Sequence, residues 1–258
     1  MLFRSSNWHP LTWLSWALDY QFFGGLDARG FHLTNNVLHA LNSVGVFALL
    51  CLLLDLPRGN GKRAAQRYVI AASGLGALLF TLHPQHVESV AWVAQRKDLL
   101  FQLFALLSLF NYLRYGARIG HSPRRDMNWS LFWYALACLS KPMAVTFPVL
   151  LLIIDIFPLR RIKIAPSANR ASEDPGFGSL LVEKSPFFAL GAALIVITLV
   201  AQQDALKIVS LDLRILNAFH AIQFYLQKLL LPLDLSPFHP YFMDPAAGPG
   251  LQIGRAHV

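Results

Sequence analysis

The sequence predicts an all-α fold: a polytopic integral membrane helical bundle of about six transmembrane helices plus outward-facing amphipathic helices. Of its 258 residues, 55% are hydrophobic and only 14% are charged, and the mean hydropathy is +0.46. This composition is too apolar for an ordinary soluble domain. Apolar runs of a length that suits a membrane span recur along the whole chain. The first residues lack a basic head followed by an apolar core, so we predict no cleavable signal peptide.

The apolar runs define the predicted elements in chain order. Residues 10–23, rich in Trp and Phe, predict a helix lying at the headgroup level. The spans are predicted at 30–56, 68–83, 97–115, 128–140, 143–158 and 186–202. A hydrophilic linker occupies 163–185. Residues 211–231 have apolar positions at helical spacing, broken by polar ones, which favours an outward amphipathic helix over a seventh span.

Two prolines are expected to break the helices. Pro84 ends the run at 68–83 and opens the next helix at its first turn. On that helix Glu88, Trp92 and Arg96 are four residues apart and are expected to share a face. Lys141-Pro142 divides a long apolar stretch into two spans and leaves backbone groups free for a site.

The positive charges predict the topology. Twelve of the 22 Lys and Arg residues lie in alternate connections, which the positive-inside rule assigns to the cytoplasm. The net charge of +8 therefore reflects topology, and we predict no nucleic-acid partner. Residues 83–98 and 140–142 then face outward. The twelve cations are Arg58, Lys62, Arg63, Arg67, Arg114, Arg118, Arg124, Arg125, Arg160, Arg161, Lys163 and Arg170.

The candidate site is the stretch 83–98, which reads HPQHVESVAWVAQRKD. Ionisable groups this close to a bilayer are costly, so their default interpretation is a substrate site. Glu88 can accept a proton from an acceptor hydroxyl, orient a donor sugar, or bind a metal with His83 and His86. The alternative is a capped helix start with an ion-paired Glu88. The His-x-x-His spacing is a weak metal signal.

Three outward cations, Arg96, Lys97 and Lys141, predict a receptor for a phosphate or diphosphate headgroup. Snorkelling to lipid phosphates is the alternative. Asp98 is expected to pair with Arg96 or Lys97.

Polar groups inside the predicted spans suggest packing contacts. Asn35 and His39 lie four residues apart and are expected to make interhelical hydrogen bonds. Asp155 is expected to pair with Arg160 or Arg161 rather than to take part in catalysis. The two cysteines, Cys51 and Cys138, lie in apolar runs and are interpreted as small buried hydrophobes.

Four segments resemble a known family: 7–15, 30–35, 83–98 and 140–146. They are similar to the membrane part of bacterial relatives of the transmembrane-and-tetratricopeptide-repeat proteins. Those proteins resemble O-mannosyltransferases and belong with the GT-C fold glycosyltransferases that use polyprenyl-phosphate sugars. The resemblance covers about residues 7–245.

The resemblance implies a glycosyltransferase of the bacterial inner membrane whose active site faces the periplasm. It would transfer a hexose, such as mannose, from a polyprenyl-phosphate carrier to a protein or glycan acceptor. Glu88 would be catalytic, and the cations Arg96, Lys97 and Lys141, with His83 and His86, would bind the carrier phosphate. No cofactor is universal in the family, although some members use a divalent metal. A flippase of lipid-linked sugars and a non-catalytic membrane anchor are the alternatives.

The resemblance also implies that the chain is a fragment, inactive alone. The family's first span and its acidic motif, which supplies the principal catalytic Asp, would precede Met1. Residues 1–251 would then be a partial membrane domain, with tetratricopeptide repeats expected further on in the parent. Residues 252–258 can be back-translated as a common sequencing-adapter oligonucleotide, so they are excluded from the fold.

Overall fold

A computed structural model of the chain describes residues 8–56, 63–119, 122–161, 176–201 and 211–233. Helices are the only regular secondary structure in these residues. The α-helices are α1 Pro10–Phe22, α2 Ala28–Asp55, α3 Arg63–Leu82, α4 His86–Ala91, α5 Arg96–Gly116, α6 Pro123–Ser140, α7 Phe147–Ile156, α8 Phe177–Glu183, α9 Ser185–Ala201 and α10 Leu211–Leu230. Two short 3-10 helices, Val93–Gln95 and Pro142–Thr146, precede α5 and α7.

The predicted helices are confirmed to within a few residues at most of their ends. Pro10 starts α1 and Pro123 starts α6, where the missing N–H is harmless. The turn after α1 uses Gly24 and Gly25, with φ of +71° and +129°, values that side chains rarely tolerate. Pro142 separates α6 from α7, as expected.

The region after α3 differs from its prediction in two ways. Pro84 lies in a turn and does not open the helix, because α4 begins only at His86. The prediction that one helix carries Glu88, Trp92 and Arg96 is also wrong, since α4 ends at Ala91 and Trp92 is extended, with φ −92° and ψ 109°. Glu88, Trp92 and Arg96 therefore do not share one helical face.

One described helix, α2, is long and apolar enough to cross a membrane by itself, with a mean hydropathy of 2.2 over its best 18 residues. The pair α8 and α9 passes the same test together and is bent by 57°. Gln66–Leu82 and Pro142–Ile156 are shorter apolar helices. The helical class is thus confirmed, whereas the six-span topology stays a prediction.

Polar side chains join the helices of the unit formed by residues 1–202. The amide of Asn42 on α2 donates to the Leu99 carbonyl of α5 at 3.0 Å. The Ser108 hydroxyl of α5 lies 2.8 Å from the Ser130 carbonyl of α6. The side chains of Asn42, Ser108 and Ser130 are fully buried, so the interior uses small polar groups to hold helices together.

The helices alternate in direction, which gives this unit two distinct ends. At one, which we name the α4 end, the Asn35 amide of α2 donates to the Val90 carbonyl of α4 at 3.1 Å. There too the Thr12 hydroxyl of α1 donates to the Ser140 carbonyl at the end of α6. The other, which we name the α8 end, holds the last turns of α5 and α7, the first turn of α6, and α8.

A network of charged and phenolic groups closes the α8 end. Asp155 and Lys184 form an ion pair and are both fully buried. Arg161 bridges Asp155 at 3.1 Å and Glu183 at 2.7 Å, which confirms the predicted partner of Asp155. The Tyr112 hydroxyl donates to Asp155 at 2.8 Å. Two acids and two bases thus balance, as buried charges must.

The second unit comprises residues 203–258 and is described at α10 and the three residues after it. Its exposed side chains include Leu216, Phe219 and Ile222, each more than half accessible. They recur at helical spacing, as the sequence pattern predicts.

We expect Lys184→Met to lower the free energy of unfolding by about 3 to 5 kcal/mol, because it leaves the buried acids with one base fewer. Denaturant titration in detergent micelles, followed by helical circular dichroism, measures this. The exposed Arg67→Met on α3 is the control and should change little. Adding Asp155→Asn to Lys184→Met should restore part of the loss, and a double variant less stable than Lys184→Met would contradict the charge-balance explanation.

Candidate functional site

The break between α4 and α5 shapes the candidate site at the α4 end. The extended Trp92 and the 3-10 helix Val93–Gln95 interrupt the α-helical path, so that α5 starts as a separate helix at Arg96. The carbonyl of Glu88 accepts from the N–H of Trp92, which closes α4. The stretch 83–98 is therefore divided among a turn, α4, the connection at 92–95 and the first turn of α5.

The Arg96 side chain is fully buried and bound on all sides by protein acceptors. Its guanidinium lies 2.5 Å from the Asp19 carboxylate on α1 and donates to the Ser15 carbonyl of that helix at 3.3 Å. On α2 it donates to the Asn35 side-chain oxygen at 2.7 Å and to the Phe31 carbonyl at 2.8 Å. One planar fork thus joins α1, α2 and the start of α5.

The sequence predicts that Arg96 is an outward cation that receives a phosphate headgroup, but its side chain is buried inside the bundle. A guanidinium surrounded by Asp19, Asn35 and two carbonyls presents no donor to the surface in this conformation. Its carrier-phosphate role stays a prediction, while its observed contacts are structural. The predicted pairing of Asp98 with Arg96 or Lys97 is wrong, since Arg96 pairs with Asp19 and Asp98 pairs with Lys141.

Lys141 and Asp98 form the ion pair nearest to the surface at this end. The two charged groups are 2.6 Å apart, and each side chain is about a quarter exposed. Lys141 lies in the extended break between α6 and the following 3-10 helix, with φ −154° and ψ 135°. Asp98 lies in the first turn of α5. The break at Pro142 thus brings a lysine to a carboxylate on a neighbouring helix while keeping both accessible.

His9 and Lys97 belong to the same end of the bundle. Burial lowers the pKa of His9, and the positive charge of Lys97 acts in the same direction. Lys97 is half-buried and immediately precedes Asp98, the acid of the Lys141–Asp98 pair, in the chain. Two lysines and one neutralising acid leave this patch with a positive balance.

Glu88 is exposed on α4 and accepts a hydrogen bond from the Gln95 side chain at 2.9 Å. This contact spans the helix break and holds the carboxylate at the surface. An exposed carboxylate with one amide donor can still accept a proton or a further hydrogen bond. An exposed carboxylate is what the predicted role of Glu88 in accepting a proton requires, and that role stays a prediction.

His83, His86 and His39 gather beside Phe80. The His39 and His86 rings lie 5.5 Å apart, and those of His83 and His86 lie 6.3 Å apart. Burial lowers the pKa of His86 to about 4, and the neighbouring His39 and His83 act in the same direction. The described residues contain no group of three or more His, Cys, Asp or Glu side chains placed to hold a metal ion. His83, His86 and Glu88 are therefore not assembled as metal ligands.

The predicted interhelical bonds of Asn35 and His39 are confirmed. Asn35 binds α4 and Arg96, and a ring nitrogen of His39 lies 3.1 Å from the Thr81 carbonyl on α3. Cys138 is buried, Cys51 is half-buried, and both are free thiols.

An open apolar cavity of about 570 Å³ lies beside the Arg96 cluster. Three aromatic residues, Trp16, Tyr20 and Trp92, form part of its wall. Sequence reasoning placed Trp16 and Tyr20 only in an interfacial helix and missed both the cavity and Asp19. The one available signal was Asp19 itself, a lone acid within an otherwise apolar aromatic segment.

The chain is similar in part to proteins named protein O-mannosyl-transferases. It is 32% identical over 169 residues to protein O-mannosyl-transferase TMTC4 of Mus musculus and 34% identical over 162 residues to that of Homo sapiens. It is also 34% identical over 161 residues to protein O-mannosyl-transferase tmtc2 of Xenopus laevis. These matches cover 61 to 64% of this chain.

The matches support a TMTC-like relationship, which agrees with the resemblance of the sequence motifs. The chain spans about a fifth of the length of these curated relatives, since it covers 23%, 22% and 18% of them. No family model matches the chain, and no solved structure matches it at a significant level. The bacterial origin and the GT-C fold stay predictions.

We expect Arg96→Lys to reduce the free energy of unfolding by about 2 to 3 kcal/mol, because an ammonium cannot replace the several charge-assisted bonds of the buried fork. The neighbouring Lys97→Gln is the matched control and should be close to wild type. Denaturant titration in micelles compares them. Equal stability of all three proteins would show that Arg96 does not hold this end together.

Stability should also depend on pH through His86. The folded pKa of about 4 is below the usual value of about 6.5, so between these values the unfolded chain binds the extra proton and stability falls as pH falls. We expect a lower melting temperature at pH 5 than at pH 7.5, and a smaller difference in His86→Gln. His32→Gln should keep the wild-type difference; a wild-type difference in His86→Gln would contradict this origin.

Proposed function

We propose that the chain is the membrane part of a glycosyltransferase that transfers a hexose, such as mannose, from a polyprenyl-phosphate carrier to a protein or glycan acceptor. The observation that carries the proposal is the similarity to proteins named O-mannosyl-transferases over more than half of this chain. The cations, carboxylates and aromatic cavity at one end of the bundle support it. This end would face the periplasm of a bacterial inner membrane.

The distribution of apolar surface supports placement in a bilayer. Only 11% of the most apolar window of α2 is buried within the protein, so this helix is not the core of a soluble domain. Leu79 of α3 and Val196 of α9 are more than half exposed, while Asn35 and Ser73 are fully buried. Apolar groups outside and polar groups inside suit a lipid environment.

In this proposal the exposed groups of the α4 end carry the chemistry. Lys141, with Lys97, binds the carrier phosphate and neutralises the charge that develops on it as the leaving group. Glu88 orients the acceptor hydroxyl or accepts its proton. His83, just before α4, and His86, at its first residue, bind the carrier. Arg96 acts through the positions of α1, α2 and α5.

The proposal is tested on the parent protein in membranes. We expect Glu88→Gln and Lys141→Ala each to lower the transfer of radiolabelled sugar from polyprenyl-phosphate to protein by about 100-fold, the effect typical of losing a general base or a charge-stabilising group. Asp55→Asn, an exposed acid at the far end of α2, should transfer as wild type does.

Equal labelling by wild type, Glu88→Gln and Lys141→Ala would remove these residues from the mechanism. Labelling absent from all of them, with flipping of the lipid-linked sugar intact, would instead favour the transporter. If neither sugar transfer nor flipping is detected, and the protein still assembles with its partner proteins, a membrane anchor is favoured. Expression and melting temperature are compared first, so that misfolding is not mistaken for loss of activity.

A further inference from the structure

A second cavity lies at the α8 end, opposite the candidate site, and we propose that it binds the phosphate group of an anionic phospholipid. Its volume is about 430 Å³, and it opens between the last turns of α5 and the first turns of α6. The residues around it are Asn111, Arg114, Ser122, Arg125, Asp126, Trp129 and Trp133. No role in sugar transfer is proposed for them.

The cavity has a positive balance, because it is lined by two guanidinium groups and one carboxylate. Arg114 is only loosely paired: its Nε is 3.7 Å from the Oδ1 of Asp126. The Arg114 side chain is about two-fifths exposed, but its Nε is buried and has no hydrogen-bond partner among the described residues. A buried donor without an acceptor is unfavourable, so an oxygen that enters the cavity would satisfy it.

Arg125 supplies the second cation from the first turn of α6, and its side chain is exposed. Asn111 and Ser122 add further hydrogen-bond donors to the wall. Two guanidinium forks with amide and hydroxyl donors match the several acceptor oxygens of a phosphate group. A carboxylate ligand would use fewer of these donors.

The aromatic wall indicates that the phosphate belongs to a lipid. Trp129 stacks on Trp133 at 5.9 Å, and Trp133 stacks in turn on Phe104 at 5.9 Å, so the rings continue from the cavity along the apolar sides of α5 and α6. Trp129 and Phe132 are more than 40% exposed. Indole rings below a cationic pocket suit the boundary between headgroups and acyl chains.

The inference rests on the membrane placement within the proposed function and not on the sugar-transfer chemistry. If the site is correct, Lys141→Ala should bind the lipid as wild type does even where it abolishes transfer. Failure of lipid binding alone would leave the transferase proposal intact.

The test is a binding titration of the purified chain in detergent micelles with dioctanoyl phosphatidylglycerol. We expect Arg125→Gln to weaken binding about tenfold, as loss of one charge-assisted contact would. Arg124→Gln is the matched control, since it removes the same charge from the adjacent residue, which does not line the cavity. It should bind within about twofold of wild type. Trp129→Ala should also bind the lipid more weakly.

Dioctanoyl phosphatidylcholine and sn-glycerol 3-phosphate separate the sources of affinity. We expect both to bind much more weakly than phosphatidylglycerol, since the first is zwitterionic and the second has no acyl chains. Equal losses in Arg124→Gln and Arg125→Gln would overturn the site, because general surface charge would then explain binding. Equal affinity for glycerol 3-phosphate would overturn the lipid assignment. Melting temperatures without lipid confirm that the variants are folded.

Discussion

The α4 end depends on a single buried cation. Arg96 gathers Asp19, Asn35 and the carbonyls of Ser15 and Phe31 around one guanidinium, and in doing so it fixes α1, α2 and α5 against one another. Leaving any of these groups without a partner in the interior would be strongly unfavourable. The connection before α5 must therefore bend at Trp92 so that α5 can begin with Arg96 in this position. The exposed Glu88 precedes this connection, and the partly exposed Asp98 follows it in the first turn of α5, where it pairs with Lys141.

The interior follows the same rule throughout this unit. Hydroxyl and amide side chains such as Asn42, Ser108 and Ser130 bond across helix interfaces, whereas large apolar side chains cover the outside of α2, α3 and α9. In the proposed membrane placement the hydrophobic effect does not drive helices together, so close packing and polar contacts must do so. The buried network of Asp155, Lys184, Arg161 and Glu183 applies this rule with full charges.

The two ends differ in a way that suits different tasks. At the α4 end the structural cation is fully buried, and the accessible groups are one lysine–carboxylate pair, one glutamate and an aromatic cavity. These charged groups are accessible, and none of them belongs to the buried cluster around Arg96 that holds the helices together. At the α8 end the strongest charges neutralise each other internally, and the loosely paired Arg114 faces a cavity of its own.

The sequence by itself determined where the helices lie, because apolar runs, prolines and lone charges act over a few residues, and it predicted the region proposed to carry the chemistry. It also predicted that Asp155 pairs with Arg160 or Arg161, and the partner is Arg161, six residues away. The structure alone decided that Arg96 pairs with Asp19 and Asp98 with Lys141, because those partners come from distant helices. Nearness along the chain favoured a pair between Asp98 and Arg96 or Lys97, but burying a guanidinium selects the site that satisfies all its donors.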